Sequence, residues 1–157
     1  MVTAGQARQR SLPASAVILA AAAAYGVFAV FALKHGQSFS AEIGNLIRSA
    51  WYTGHQVAPY TATDATGAMP LYFYLLGFWQ QLVGLGDITG RALSIGFGVV
   101  AGILLFLVCL RMTANSVAAA AATFIFLATP ATAYAFATAT PAALVTTLHL
   151  AGLWLIV

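Results

Sequence analysis

The sequence predicts an all-α, polytopic membrane fold, and three observations carry that prediction. The 157-residue chain is 62% apolar, with only six basic and three acidic residues. A soluble domain averages about 25% charged residues, against 6% here. The apolar residues gather into runs long enough to cross a bilayer, while the polar residues collect in one stretch between the first two runs.

The first run, about 14–33, holds no charge. At about 1.5 Å per residue it covers a hydrocarbon core of roughly 30 Å. Arg8 and Arg10 precede it, and the excess of cations on the cytoplasmic side of spans places the N-terminus inside. A signal peptide is the competing reading, but the run is long for one. Ala32-Leu33-Lys34 is also a poor cleavage site.

An outer loop, about 34–91, follows. Within it Ile43, Leu46, Ile47, Ala50 and Trp51 recur at helical spacing, beside a polar stripe of Glu42, Asn45, Ser49 and Tyr52. Ser40 is an N-cap candidate and Gly54 a stop, which predicts an amphipathic helix over about 41–53. A second helix is predicted over about 70–85. The whole Met69–Leu85 segment contains Gln80, Gln81, Pro70, Gly77 and Gly84. Its roughly sixteen helical residues reach only about 24 Å, which suits a helix lying on the membrane better than one crossing it. Cation placement leaves the choice open. A crossing puts Arg8, Arg10 and Arg91 inside, and a surface helix puts Arg8, Arg10 and Arg111 there.

Further spans are predicted over about 92–110, 117–136 and 141–157. The short Arg111–Ser116 link makes the first two an antiparallel hairpin. The last run stops at Val157 without a polar flank, which reads as a span cut short in a longer protein.

Several function classes fall away on composition. The basic residues are scattered, so a nucleic-acid surface has no electrostatic footprint. One cysteine, Cys109, excludes a disulfide framework and reads as a buried thiol. Three separated histidines and that cysteine lack metal-ligand spacing, so no metal or other cofactor is evident. His149, inside an apolar run, is expected as a hydrogen-bonded interior histidine.

The candidate site residues lie in the outer loop. Glu42 would sit in a first helical turn, where the dipole favours its ionised form. It reads either as a solvated helix-start charge or as a general base at the membrane surface. Arg91, at the end of its span, reads as a snorkelling cation or as a partner for a lipid phosphate. Asp64 and His55 read as loop residues. Tyr72, Tyr74, Phe78 and Trp79 read as interfacial aromatics, or as rings on which a sugar stacks.

The order of these features carries a resemblance over about Phe39–Val157. Its main stretches are Glu42-Ile43-Gly44-Asn45-Leu46-Ile47-Arg48-Ser49-Ala50-Trp51-Tyr52, Gly54-His55-Gln56-Val57-Ala58-Pro59-Tyr60 and Met69-Pro70-Leu71-Tyr72-Phe73-Tyr74. Arg91-Ala92-Leu93-Ser94 leads a span behind them. The chain thus resembles the GT-C membrane glycosyltransferases of the protein-mannosyltransferase and aminoarabinose-transferase superfamily. The resemblance implies two juxtamembrane helices in the outer loop, and so the surface reading of 70–85. It also implies transfer of a sugar from a polyprenyl-phosphate carrier to an acceptor on the outer face of a bacterial plasma membrane. Glu42 then matches the second acid of an Asp-Glu pair, with Ala41 standing in place of the first. Arg91 falls near the lipid phosphate. Arg48, Tyr60, Asp64 and Tyr72 complete the candidate binding set, and Lys34 is a weaker cation. The expected partners are the lipid-linked donor, membrane lipids and an acceptor lipid, glycan or protein. A divalent cation is implied by some relatives alone. The alternative from another class is a small non-enzymatic membrane protein, such as a transporter segment or an assembly subunit.

Overall fold

The computed structural model describes residues 14–35, the helical residues Gly44, Asn45, Ile47 and Ser49, and residues 70–157. The described residues are helical and contain no strand, which agrees with the all-α expectation. Among the described residues, and beside the helical ones just named, six helices follow in order: α1 Ala14–His35, α2 Pro70–Val83, α3 Asp87–Thr113, α4 Ser116–Ala128, α5 Pro130–Ala137 and α6 Ala142–Ile156.

The local chemistry explains where each helix starts and stops. Pro70 opens α2 at the position where a missing N–H costs nothing. The helix ends at Gly84, whose φ of 108° is open to glycine at little cost and whose N–H bonds back to the Gln80 carbonyl at 2.9 Å. Asp87 stands in the first turn of α3, at the positive end of the helix dipole. Ala114 closes α3 in the left-handed region, with its N–H on the Leu110 carbonyl. Asn115 then caps α4, its side-chain oxygen accepting from the N–H groups of Val117 at 3.0 Å and Ala118 at 3.2 Å.

One predicted span is corrected. The run expected as a single helix over 117–136 is a pair, α4 and α5, bent by 66°. Thr129 is extended between them, and Pro130 offers no N–H to continue the α4 ladder. The remaining helices keep close to the expected boundaries, with α3 running several residues past each end of its predicted span.

α3 is the central element and packs against α2, α4, α5 and α6. Thr147 of α6 reaches the α3 carbonyl of Phe97 at 2.9 Å while also bonding Ala143 in its own helix at 2.8 Å. Further along, Arg111 donates to the Trp154 carbonyl at 2.9 Å and lies over the indole ring, 5.2 Å from its centroid. The two pairs advance together along both helices, so α3 and α6 run parallel and in direct contact, with the α4–α5 pair connecting them in sequence. α1 lies across this group. Tyr25 donates to the Ile95 carbonyl at 3.3 Å, and its ring rests on Gly98.

Two apolar clusters fill the interior. Tyr72, Phe73 and Leu76 of α2 meet Ala139 and Leu144 at one end, and Ala101, Phe136 and Ala143 meet further along α3. Many large apolar side chains point outward, among them Val27 at 73% exposure, Ile103, Ile125 and Ile156. His149 is exposed on α6 rather than interior, and Cys109 is half-buried. Among the described residues one helix, α3, is by itself long and apolar enough to cross a membrane. The bent pair meets that measure only when taken as one span, and α6 is apolar but shorter, at 15 residues.

Candidate functional site

Polar side chains in this apolar chain are buried together at one end of the bundle, where α2, the first turns of α3, the helical residues Asn45 and Ser49 and the turn after α5 converge. α2 contributes a stripe of Tyr72, Leu76 and Gln80, spaced at i, i+4 and i+8, and all three are buried. Thus the surface-type helix read from the sequence turns its polar residue Gln80 inward and leaves Phe78, Leu82 and Val83 exposed. α3 contributes Arg91 and Ser94, one turn apart and both buried. The Tyr72 hydroxyl and the Ser94 hydroxyl lie 3.3 Å apart. A few residues away, the Trp79 indole N–H donates to the Thr89 carbonyl at 2.9 Å, which ties the end of α2 to the start of α3.

Asn45 and Ser49 dock on this part of the bundle through their polar side chains. Ser49 is fully buried and donates to the Gln80 side-chain oxygen at 3.0 Å. Asn45 donates to the Ala139 carbonyl, also at 3.0 Å. Ile47, between them in sequence, is 65% exposed. The stripe that looked like the outer polar face of an amphipathic helix therefore faces protein at Asn45 and Ser49, and the apolar Ile47 faces away.

Arg91 is only 3% exposed, although it stands in the second turn of a helix, so the snorkelling reading does not describe it. A guanidinium stays protonated in any protein environment, and its burial is costly without partners. Arg91 is engaged by such a partner. Ser94 stands one turn further along α3, its hydroxyl paired with that of Tyr72. The Gln80 amide is less well served, because its nitrogen is buried and meets no hydrogen-bond acceptor.

The structure buries two of the residues picked from sequence, Arg91 and Tyr72, and pairs Tyr72 with Ser94, one turn from Arg91. Glu42, Arg48, Tyr60 and Asp64 lie outside the described residues. Sequence reasoning missed Gln80, Ser49 and Ser94 as members of the same group. The signal for Gln80 was its place on the Tyr72–Leu76 stripe, and the signal for Ser94 was its i+3 spacing from Arg91. Among the described residues no three of His, Cys, Asp or Glu gather where they could hold a metal ion. A separate cavity of about 370 Å³ lies between α1, α3 and α4, lined by Ala22, Gly26, Gly102 and Phe106 among others, with almost no polar surface.

Comparison with protein families, with curated proteins and with solved structures finds no match to this chain. Among the described residues, what the fold and the site define is a class: a helical bundle with one helix by itself long and apolar enough to cross a membrane, and a buried polar cap at one end.

Proposed function

We propose that the chain is the membrane part of a glycosyltransferase that moves a sugar from a polyprenyl-phosphate carrier to an acceptor hydroxyl or amine at the outer membrane face. The observation that carries this reading is the burial of Arg91 one helical turn from Ser94, whose hydroxyl pairs with that of Tyr72. Two further features support it. Large apolar side chains face outward on α1, α3, α4 and α6, as lipid-facing helices require. Ile47 is exposed while Ser49 is buried, the arrangement of a helix lying between protein and bilayer.

The chemistry follows from these groups. Glu42, which shares the sequence stripe of Asn45 and Ser49, accepts the proton of the acceptor. The acceptor atom attacks the anomeric carbon as the bond from that carbon to the phosphate oxygen breaks. The released electron pair resides on the lipid phosphate, whose charge Arg91 balances without motion of the helix that holds it. One displacement inverts the anomeric centre. In this arrangement the N-terminus is cytoplasmic, and 34–91 faces outward.

Sugar transfer from polyprenyl-phosphate donors by membranes containing the protein is the test. Glu42→Gln is expected to abolish transfer, and full transfer by that variant removes the base assignment. A thiol introduced by Asp64→Cys is expected to react with an impermeant reagent from the outside. Reaction from the cytoplasmic side alone would overturn the outer-loop topology.

A second reading, a transporter segment, draws on the 66° break between α4 and α5, since transporters place broken helices at their substrate sites. The break here is lined by Thr129 and alanines rather than by ionisable groups, and the buried cation lies at the end of the bundle. That favours chemistry at the membrane surface.

A further inference from the structure

We propose that Gln80 binds the sugar of the lipid-linked donor, its amide pairing with one sugar hydroxyl. The inference deepens the glycosyltransferase reading and rests on it.

Gln80 is 3% exposed and belongs to the same buried stripe of α2 as Tyr72. Its amide is satisfied at one end only. The oxygen accepts from Ser49 at 3.0 Å, and the nitrogen is buried with no hydrogen-bond partner among the described residues. Turning the amide by 180° exchanges the two ends without curing the defect, because the Ser49 hydroxyl serves either end and the other remains unmatched. An unmatched buried amide weakens the folded state, and an apolar residue of similar shape would avoid the loss. The one polar group at the other buried positions of α2, the Tyr72 hydroxyl, is paired with Ser94, so Gln80 stands out as the place where the helix keeps a half-used polar group.

The chemistry of the free end selects its partner. A neutral amide suits a hydroxyl, which both donates and accepts, in either orientation of the amide. A phosphate only accepts, and the nearby hairpin already holds a permanent cation for it in Arg91. The two ends of the donor are thereby divided: Arg91 for the phosphate, Gln80 for the sugar. A site built around one hydroxyl also rejects sugars that lack it, because the amide is then left unpaired once more.

The experiment measures binding rather than turnover, with the protein in lipid nanodiscs. The probes are bare polyprenyl phosphate and polyprenyl phosphate carrying mannose, glucose or arabinose. The variants are Gln80→Met, Gln80→Leu and Arg91→Gln. Wild type is expected to bind at least one sugar-bearing probe more tightly than the bare lipid phosphate. Gln80→Met is expected to lose about tenfold on that probe, the effect of one hydrogen bond, and to bind the bare phosphate unchanged. Its melting temperature without ligand is expected to equal or exceed that of wild type. Arg91→Gln is expected to weaken every probe. Retention of the sugar preference by both Gln80 variants overturns the inference while leaving the glycosyltransferase reading intact. Equal losses on bare and sugar-bearing probes, or loss of folding in both variants, assign Gln80 a structural role and likewise overturn it. Failure of wild type to bind any of the probes overturns the functional reading itself, and the inference with it.

Discussion

Gly96 and Gly98 stand two residues apart on α3, and replacing each by alanine is expected to move stability in opposite directions. In a helix, Gly→Ala gains about 1 kcal/mol from backbone entropy. A Cβ on Gly96 meets nothing within 4 Å, so Gly96→Ala should realise most of that gain. A Cβ on Gly98 would collide with the Tyr25 hydroxyl oxygen and stand 2.8 Å from the Phe136 ring. Tyr25 is buried and donates to Ile95, so moving it away loses that bond, about 1 kcal/mol. Overpacking of a filled interior costs about 1–3 kcal/mol more. Set against the entropic gain, Gly98→Ala should be destabilised by about 1–3 kcal/mol net. Denaturation by increasing mole fraction of an ionic detergent, followed by tryptophan fluorescence, reads both variants on one scale. Tyr25→Phe removes the colliding oxygen, so it should recover part of the loss in the Gly98→Ala background. A coupling energy of about 1 kcal/mol in that double-mutant cycle would be the mark of the contact. If Gly98→Ala stabilises as much as Gly96→Ala, α1 does not pack on α3 through Tyr25, and the placement of the first helix is wrong.

Other expectations follow from single contacts. Asn115→Ala removes the cap that holds two N–H groups at the start of α4 and should cost about 1 kcal/mol in the same assay, with Asn115→Asp close to neutral. Thr147→Val keeps the side-chain shape but loses the bond from α6 to the Phe97 carbonyl. About 0.6 kcal/mol is expected, the usual worth of a hydroxyl between apolar helices. Arg111→Lys retains charge but not the planar group over Trp154. It should cost about 0.5–1 kcal/mol and shift the indole emission, whereas an unchanged spectrum would deny the stacking.

Helix positions were legible from the sequence because they depend on local features. Charge-free runs, Pro70, the 84–86 glycines and Asn115 mark starts and stops that no tertiary contact needs to decide. The break at Thr129–Pro130 was also written there, but the apolar run on both sides masked it, since hydropathy is blind to a missing N–H. The buried cap was legible only in part. Arg91 and Tyr72 were candidates because a cation and an aromatic ring near a span end are conspicuous. Gln80, Ser49 and Ser94 were not, because periodicity shows that a helix has two faces and leaves open which face meets protein. In water the polar face turns out. Here Ser49 turns in and Ile47 out, and a reading that assigns polar faces to solvent inverts them. Glu42, the residue on which the sequence argument leaned most, lies outside the described residues.

The joint between α4 and α5 bears on how the cap is held. A continuous rod passes a tilt at one end to the other, but the extended Thr129 and the absent Pro130 N–H interrupt the ladder that would carry it. The 66° break instead turns α5 into the core, where Ala133, Phe136 and Ala137 are buried, while α4 keeps its seat on α1 and α3. Beyond α5 the turn presents the Ala139 carbonyl on which Asn45 docks. One interrupted ladder thereby sets the footing of a segment that lies 94 residues earlier in the sequence.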